Sequence, residues 1–419
     1  MEYLKKGIGQ NNKQEDDTGK TVAEIISNVK NGGDKELEKY EKQLSNSTRD
    51  NFRVSEEEIE ASIKSLPKEV KELIDRNVER ISSFAEAQLN CILPLEKEFG
   101  SGIKMGHRVI PIAKVGAYIP GGRFPLLSSG PMVVAPAKVA GAEKIVACSP
   151  ANYKNGIHPA VVYGLIRSGA TEIHAIGGAQ AVASMAYGTE TVSNVDMIAG
   201  PGNRFVAEAK RQVFGKVGID LIAGPSEVLV FADDTANPRY CAADLLAQAE
   251  HDPNARAILV SISTTCANKT MEEVEKFLND FSPESPAHQS WENMGEVIYV
   301  KSIEEGIEVC NDYAIEHLHL HVKNSDDLID EFCNYGSLFL GSDSSVVFSD
   351  KVSGTNHTLP TQQAARYTGG LWVGNFVKVL THQKITGEGI NYLASHATKQ
   401  SEIEGLEGHR LSAALRLSN

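Results

Sequence analysis

The sequence has no closely spaced cysteines, no long apolar run and no surplus of positive charge. Its six cysteines are scattered singly along 419 residues with no Cys-x-x-Cys pair, which favours a reducing compartment over a disulfide framework. No segment approaches the length of a membrane span, and residues 1–20 are polar, without the apolar core of a signal peptide. We therefore expect a cytoplasmic protein without a membrane partner.

The charge balance excludes another class of partner. With 55 acidic and 41 basic residues, the chain carries a formal charge of −14, whereas binding to nucleic acid or to an anionic membrane requires a basic surface. A few local Arg or His side chains could still hold a small anionic substrate. The length predicts two main domains with smaller appendages.

The first part of the chain is helical by pattern. Between residues 21 and 89 the apolar side chains recur at helical spacing, as in Val70, Ile74, Val78 and Ile81. Ser55 precedes three glutamates, which is typical of a helix start because acidic groups favour the positive end of the helix dipole. This region is predicted to form a packed helical layer.

From Lys114 onward, short β-branched runs alternate with amphipathic segments. Such alternation indicates parallel sheets covered on both faces, an α/β doubly wound architecture. Residues 203–214 and 237–250 are predicted helices, and the predicted strands span residues 115–119, 144–148, 172–176, 196–199, 227–231, 257–262 and 296–300.

Two glycine-containing turns follow predicted strands and open helices. They are Gly177-Gly178-Ala179-Gln180 and Gly200-Pro201-Gly202-Asn203. Ligands of doubly wound sheets lie beyond the carboxyl ends of the strands, and free N–H groups there favour an anion such as a pyrophosphate. No Gly-x-Gly-x-x-Gly fingerprint occurs at these junctions, so spacing alone favours a structural role and leaves dinucleotide binding open.

Several side chains suit a metal site. Gln248 and His251 are three residues apart on one predicted helix and therefore share a face. Asp350 and His357 flank a loop of small residues, and His409 lies near the end of the chain. Zinc accepts histidine nitrogen and carboxylate oxygen, and an open coordination position would admit a substrate.

The segment EHLHLHV offers both a catalytic pair and a rival metal site. In a strand His317, His319 and His321 would share one face, because side chains alternate. Glu316 and His317 would point to opposite faces, yet at a strand entrance both could reach a crevice. An imidazole suits proton removal from an alcohol, and a neighbouring carboxylate suits activation of water.

Together and in order, these motifs resemble the histidinol dehydrogenase family. The matching blocks run from about residue 100 to residue 409 and include VGAYIPGG, PAKVAGAEKIVACSP, GGAQAVASMAYGTETV, GPGNRFVAEAKRQVFG, GIDLIAGPSEVLV, DLLAQAEHD, AIEHL, SGTNHTLPT and EGLEGH. So many long blocks at family-like separations make the resemblance highly specific.

The resemblance implies a cofactor set and a role for each matching residue. Zinc would be held by Gln248, His251, Asp350 and His409, and NAD would be contacted by Tyr118, Gln180 and Asn203. His317 would be the general base, and Glu316 would activate the water that attacks the aldehyde. Substrate contacts would come from Ser226, Gln248, His251, Glu316, His317, His357, Glu404 and His409.

The resemblance also implies a fold of two incomplete Rossmann-like domains in an intertwined homodimer with shared active sites, His409 coming from the other subunit. The expected division is an N-terminal segment 1–20, a discontinuous first α/β domain 21–117 plus 228–371, an NAD-contacting domain 118–227, and a dimer-swapped extension 372–419. His319 and His321 replace positions that are usually apolar or neutral in the family, and we interpret them as incidental strand residues.

Some segments look more like the sulfopropanediol dehydrogenase branch of the family. Arg123-Phe124-Pro125 after the PGG motif is one of them, and GHRVIP, NYGSLFLG, AARYTGGLWVGNF and EIEGLEGH are others. A sulfonate needs cationic or N–H donors, so Arg123 with His107 is a possible anion clamp; otherwise Arg123 caps a loop or pairs at the surface.

Three functions therefore follow from the sequence. The favoured one is two-step oxidation of an anionic diol, such as 2,3-dihydroxypropane-1-sulfonate, through the aldehyde to the carboxylate. The second is the same chemistry on L-histidinol. The third is a catalytically inactive binding protein whose zinc staples a dimer, which the intact Glu316–His317 pair and Asn203 disfavour.

Overall fold

The structure is a computed structural model that describes residues 1–8, 15–45, 47–49, 51–121 and 126–417. The strands are β1 (Glu2–Lys5), β2 (Leu95–Glu98), β3 (Ile103–Pro111), β4 (Lys114–Tyr118), β5 (Lys144–Cys148), β6 (Glu172–His174), β7 (Met197–Ala199), β8 (Gly218–Ile219), β9 (Glu227–Ala232), β10 (Arg256–Ser261), β11 (Glu296–Tyr299), β12 (Ile315–His321), β13 (Tyr335–Leu340) and β14 (Val377–Ile385).

The helices alternate with these strands over most of the chain. They are α1 (Glu15–Gly32), α2 (Asp34–Leu44), α3 (Glu56–Ser65), α4 (Lys68–Leu89), α5 (Ser129–Val139), α6 (Pro159–Ser168), α7 (Gly178–Tyr187), α8 (Arg204–Val213), α9 (Pro238–Ala249), α10 (Thr264–Asp280), α11 (Pro286–Met294), α12 (Ile303–Tyr313), the short α13 (Val346–Phe348), α14 (Glu388–Glu404) and α15 (Glu407–Ala414). Shorter 3₁₀ segments span Ser325–Glu331, Ala364–Arg366 and Val373–Phe376, and a π-helical turn spans Ser349–Ser353.

Two parallel sheets form the body of the described chain. The first has the order β6-β5-β4-β7-β8, and separate apolar clusters cover its two faces. The second has the order β1-β11-β10-β9-β12-β13 and is parallel except for the edge strand β1. The predicted strands lie within two residues of the observed ones, and the predicted α/β class is confirmed.

The centre of the six-stranded sheet is apolar on both sides, as a parallel sheet under two helical layers requires. Along β9, Val228 and Val230 pack toward α9, whereas Leu229 and Phe231 pack with residues of β12 and α12 on the opposite face. Strand β12 lies between β9 and β13, so its backbone is paired on both sides.

A three-stranded antiparallel sheet, β14-β3-β2, was not predicted. Strand β14 pairs with β3 over nine residues, from Val377 opposite Pro111 to Ile385 opposite Ile103. Most residues of β2 and β14 are exposed, which explains the missing signal, because a strand without a buried face lacks the alternation that sequence reading detects. The sheet anchors the C-terminal arm formed by β14, α14 and α15.

The N-terminal helices pack beside the five-stranded sheet, and the division that groups residues 21–117 with residues 228–371 stays a prediction. Helix α1 packs on α7 and α8, α2 on α7, α3 on α6, and α4 on α5 and α6. Strand β4 also belongs to that sheet, so the sheet begins before the expected boundary at residue 118. The predicted start of α3 is observed, with a complete capping box on Ser55.

No helix in the described ranges has both the length and the apolar character needed to cross a bilayer.

Candidate active site

The first two polar residues of β12 lie together at the amino end of the strand. Glu316 and His317 are 5% and 3% exposed, and the Glu316 Oε2 atom lies 3.5 Å from His317 Nδ1. The same Oε2 accepts a hydrogen bond from the Glu227 amide at 2.8 Å, and His317 Nδ1 lies 3.0 Å from the Glu227 carbonyl oxygen. The first residue of β9 therefore fixes both side chains.

The environment changes the proton affinities of this group. Burial alone would lower the pKa of His317, but the Glu316 carboxylate, helped by Asp350, outweighs it and raises the pKa to about 9. Burial raises the pKa of Glu227 to about 7, against the opposing effect of Arg256. Perturbed values of this kind are typical of functional sites.

Asp350 brings a second carboxylate to the cluster. It lies in the π-helical turn Ser349–Ser353, and its Oδ1 atom lies 3.5 Å from His357 Nδ1. Burial would raise the pKa of Asp350, but the hydrogen bond and charge of His357, with smaller contributions from His317 and His251, lower it to about 2. Asp350 therefore lies within electrostatic reach of three histidines.

The end of α9 supplies the last two groups from this part of the chain. Gln248 is 1% exposed, and its Nε2 atom has no hydrogen-bond partner among the described residues; the same holds for His317 Nε2. The His251 side chain is accessible to solvent, yet nearby protein desolvates its ring enough to lower its pKa, against the opposing charge of Asp350. Buried polar atoms without partners are typical of ligand positions.

Gln248, His251 and Asp350 have donor atoms that suit a zinc ion, but a fourth ligand is needed. The amide, imidazole and carboxylate of Gln248, His251 and Asp350 have the oxygen and nitrogen donors that zinc accepts. His409 is exposed on α15, which packs against α14. Within the described residues of one chain, the ligand atoms of His251, Asp350 and His409 do not come within 4.8 Å of one another.

Glu404 and the C-terminal helices are also exposed. Glu404 ends α14, and apolar side chains beside it face solvent in the single chain, namely Ile403, Leu406, Leu411 and Leu415. The expected ligand and substrate contact from this arm are therefore not placed near Glu316 and His317 by one chain alone.

The expected NAD contacts lie at the carboxyl edge of the five-stranded sheet, and the expected catalytic residues lie at the amino edge of the six-stranded sheet. Tyr118, Gln180 and Asn203 lie at or just beyond the carboxyl ends of β4, β6 and β7, as expected for a doubly wound sheet. Ser226 precedes β9, and Glu316 and His317 open β12, so these residues lie at the amino edge of the six-stranded sheet. Helix α9 runs back from the carboxyl end of β9, which returns Gln248 and His251 to the same edge.

The expected anion-binding turn already uses its N–H groups. The Gly177 amide donates to the Glu41 carboxylate at 3.1 Å, and the Gly178 amide donates to the Tyr118 hydroxyl at 3.2 Å. Gln180 Nε2 donates to the same Glu41 oxygen at 2.8 Å. Glu41, from α2, was not singled out in the sequence, because its role depends on a contact 136 residues away.

The second turn is held in a similar way. Asn203 caps α8, its Oδ1 atom accepting from the amides of Phe205 and Val206. The Gly200 amide donates to Asp220, which forms a buried ion pair with Lys210. At Gly200 the backbone φ is +119°, and a Cβ atom would lie 2.0 Å from the Tyr118 carbonyl oxygen, so only glycine fits.

His319 and His321 are not incidental, in contrast to the interpretation from sequence. Both rings lie against Asp244 of α9, with one nitrogen of each ring and a carboxylate oxygen within 4.8 Å of one another. Asp244 precedes Gln248 by four residues, a helical spacing that could have revealed the shared face.

Of the two residues expected to form the anion clamp, only His107 lies in the described part of the chain. Arg123 lies outside the described residues. His107 lies on β3, where its Nε2 atom is 2.9 Å from the Leu93 carbonyl oxygen, in the three-stranded sheet.

Comparison with known proteins places the chain among a coherent set of relatives. A family model described as histidinol dehydrogenase matches residues 9–417. The chain is 43% identical to a histidinol dehydrogenase homolog from Shouchella clausii, covering 99% of this chain and 98% of that one. It is 40% identical to the sulfopropanediol 3-dehydrogenase of Ruegeria pomeroyi, covering 100% and 96%.

Two further comparisons point to the same family. The chain is 42% identical to a histidinol dehydrogenase from Methanothermobacter thermautotrophicus, covering 96% of this chain and 94% of that one. Its structure matches that of histidinol dehydrogenase from Elizabethkingia anophelis with a TM-score of 0.93 and 36% identity, covering 98% and 94% of the two chains.

Proposed function

The chain belongs to the histidinol dehydrogenase family, NAD- and zinc-dependent enzymes that oxidise an alcohol in two steps to an acid, and from this premise we propose a site and a substrate. The site comprises Glu316, His317 and a zinc ion held by Gln248, His251, Asp350 and His409 of a second copy. The substrate is an anionic diol such as 2,3-dihydroxypropane-1-sulfonate.

The observation that carries the proposal is the contact between Glu316 and His317. A carboxylate oxygen 3.5 Å from the imidazole, in a buried site, provides an acid–base pair with two separate tasks. The Glu227 carbonyl oxygen accepts a hydrogen bond from His317 Nδ1, so the neutral ring presents its lone pair at Nε2. That atom has no partner in the described part of the chain.

In the first oxidation His317 Nε2 takes the hydroxyl proton of the alcohol, and NAD held at Tyr118, Gln180 and Asn203 would be the hydride acceptor that gives the aldehyde. In the second oxidation Glu316 removes a proton from the water molecule that attacks the aldehyde, and a second NAD would accept the hydride of the hydrate to give the acid. A zinc ion held by Gln248, His251, Asp350 and His409 of a second copy would polarise the substrate oxygen.

The fourth zinc ligand comes from a second copy of the chain. His409 and Glu404 lie on the C-terminal arm, whose apolar side chains Leu406, Leu411 and Leu415 are exposed in the single chain. Exposed apolar groups on an appended arm are typical of an interface. Homodimer formation would cover them and bring the arm to the open side of His251.

Tyr118, Gln180 and Asn203 are the proposed NAD contacts. Tyr118 and Gln180 are buried beside the glycine turn, where the Tyr118 hydroxyl accepts from the Gly178 amide and Gln180 Nε2 donates to Glu41, so they shape the floor of the cofactor site. Asn203 is exposed at the start of α8 and faces the ligand side of the sheet edge.

Sequence identity does not choose the substrate, because the relatives at 40% and 42% carry two different substrate names. L-histidinol is therefore the second candidate. Steady-state NADH formation with both alcohols decides between them. We expect turnover of the sulfonate with two NADH per alcohol consumed; turnover of histidinol alone overturns the substrate proposal, and turnover of neither supports the inactive zinc-stapled protein.

Mixed dimers test the shared site. We expect His251→Ala and His409→Ala homodimers to be inactive, and a purified heterodimer of the two variants to regain about half of wild-type activity, because one of its two sites receives both ligands. A heterodimer as inactive as its parents would place the two histidines in the same chain's site and remove the proposal of sharing.

A further inference from the structure

We propose that Asp244 is a positioning residue, whose single buried carboxylate holds α9, β12 and the segment before Asp350 in register for zinc binding and catalysis. The inference rests on the proposed function, because it assigns a role to a residue behind the proposed ligands. Asp244 itself contacts neither substrate nor metal in this scheme.

Three hydrogen bonds converge on the Asp244 carboxylate. Its Oδ2 atom lies 3.2 Å from His319 Nδ1 and 3.0 Å from His321 Nε2, and its Oδ1 atom accepts from the Ser345 hydroxyl at 2.7 Å. Asp244 is 7% exposed, and the two histidines are almost fully buried. Three donors satisfy this carboxylate, whose burial without hydrogen-bond partners would be strongly unfavourable.

Asp244 and its three partners lie on the three elements that carry the site. Asp244 precedes Gln248 by four residues on α9, so these two side chains share one face, and His251 follows two residues after the end of the helix. His319 follows His317 by two residues on β12 and therefore points to the same side of the sheet. Ser345 caps α13, which continues directly into the π-helical turn containing Asp350.

The neutral rings of His319 and His321 each have one donor and one acceptor nitrogen, which fits the hydrogen bonds of the cluster. An ionised carboxylate only accepts, so His319 donates from Nδ1 and His321 from Nε2. His321 Nδ1 is then free to accept from the Cys241 thiol, whose sulfur lies 3.6 Å away. Burial would raise the pKa of Asp244, but the hydrogen bonds from the two histidines outweigh it and hold the pKa well below its ordinary value.

A second metal site accounts for these contacts less well. The ring N–H groups of both histidines meet hydrogen-bond geometry toward the carboxylate oxygen. The Cys241 sulfur lies on the far nitrogen of His321, so it could not bind the same ion. Closed structural zinc sites have four ligands, and this cluster offers three.

The expected consequence is a change in zinc affinity. Outer-shell partners of metal ligands orient them, and their removal commonly costs 10–100-fold in metal affinity or activity. In Asp244→Asn the side chain keeps its size and one acceptor, and His319 can shift its proton to the unpartnered Nε2 and accept from the new amide. The variant should therefore fold while losing the fixed register of the three elements.

Asp233→Asn is the matched control. Asp233 is 5% exposed and joins the carboxyl ends of β9 and β12. Its carboxylate accepts from the Thr235 amide and hydroxyl and from the Lys323 amide. It lies at the carboxyl edge of the sheet, away from Glu316 and His317. Both substitutions remove a buried carboxylate that accepts three hydrogen bonds, so a purely structural effect would be common to both.

The experiment measures zinc affinity by chelator competition on the full-length protein, together with kcat and the melting temperature. We expect at least a tenfold loss of zinc affinity and a similar loss of kcat in Asp244→Asn, with less than twofold change in Asp233→Asn. Ser345→Ala should lose zinc affinity in the same direction, and Ser345→Thr, which keeps the hydroxyl, should restore it.

Each of the other outcomes overturns one named part of the proposal. If wild type binds one zinc that His251→Ala loses, but Asp244→Asn and Asp233→Asn match in affinity and kcat, the positioning role is wrong and the proposed function stands. If His251→Ala retains the zinc, the proposed site itself is wrong. Two zinc ions per chain, one of them lost in His319→Ala, would replace the positioning role with a second metal site.

Discussion

His317 Nδ1 lies 3.0 Å from the main-chain carbonyl oxygen of Glu227. A carbonyl oxygen cannot donate, so this contact places the ring proton on Nδ1 and leaves Nε2 as the basic atom. Because the acceptor is main chain at the start of β9, the neighbouring strand fixes the orientation of the ring before any substrate binds.

His317→Gln should abolish the first oxidation with little effect on zinc content. Loss of a general base typically costs 10²–10⁴-fold in rate, and the glutamine amide can still donate to the Glu227 carbonyl oxygen. The measurement is kcat for NADH formation beside zinc content by metal analysis. His288→Gln, at a partly exposed helix position whose ring lies near the Ser282 carbonyl oxygen, is the control, and equal activities of the two variants would exclude His317 as the base.

Glu227→Gln should change the pH dependence of stability. Burial raises the pKa of Glu227 from 4.5 to about 7, so between these values the folded state keeps a proton that the unfolded state has released. Stability therefore falls as pH rises through this window, by about 1.4 kcal/mol per unit at the steepest.

Glutamine has no proton to lose and keeps an acceptor for the Gln362 amide. The free energy of unfolding of the variant should therefore decline less than that of wild type between pH 5 and pH 8, by about 2 kcal/mol. Parallel curves in denaturant titrations of the two proteins would show that Glu227 is already ionised at neutral pH.

His251→Ala should remove zinc and activity together. The substitution deletes one of the proposed ligands, so bound zinc per chain should fall at chelator concentrations that leave wild type loaded. Added zinc should restore wild type after dialysis but not the variant. His288→Ala should behave as wild type, and a fully loaded His251→Ala protein would contradict the ligand assignment.

Arg123→Ala tests the proposed anion clamp on a residue outside the described part of the chain. Loss of a charge-assisted contact to a sulfonate should cost about 2 kcal/mol, or about thirtyfold in kcat/KM for the sulfonate diol. Arg211→Ala, at an exposed pair with Glu208, is the control. Unchanged kcat/KM in Arg123→Ala would remove Arg123 from the site.

The sequence predicts the parallel sheets well because their strands are buried on both faces. The runs of β5, β9 and β10 are almost continuously apolar and end in polar turns, so their positions follow from local pattern. Strands β2 and β14 have no buried face, and only their long-range pairing with β3 defines them.

In the candidate site, too, some features follow from local sequence pattern and others only from long-range contacts. Glu316 and His317 are readable as an adjacent pair, but their contact with Glu227 joins residues about 90 positions apart and follows from strand order. The convergence of His319 and His321 on Asp244 also needs the packing of α9 on β12. Helical and strand periodicities give each face separately, and tertiary structure decides which faces meet.

The most direct test is an anomalous difference map at the zinc absorption edge, from crystals of the protein grown with zinc. The account predicts one peak per chain, bounded by Gln248, His251 and Asp350 with His409 from a second copy as the fourth ligand. A peak at Asp244, His319 and His321 instead, or a peak at the first three residues with His409 remote in every copy, would contradict it.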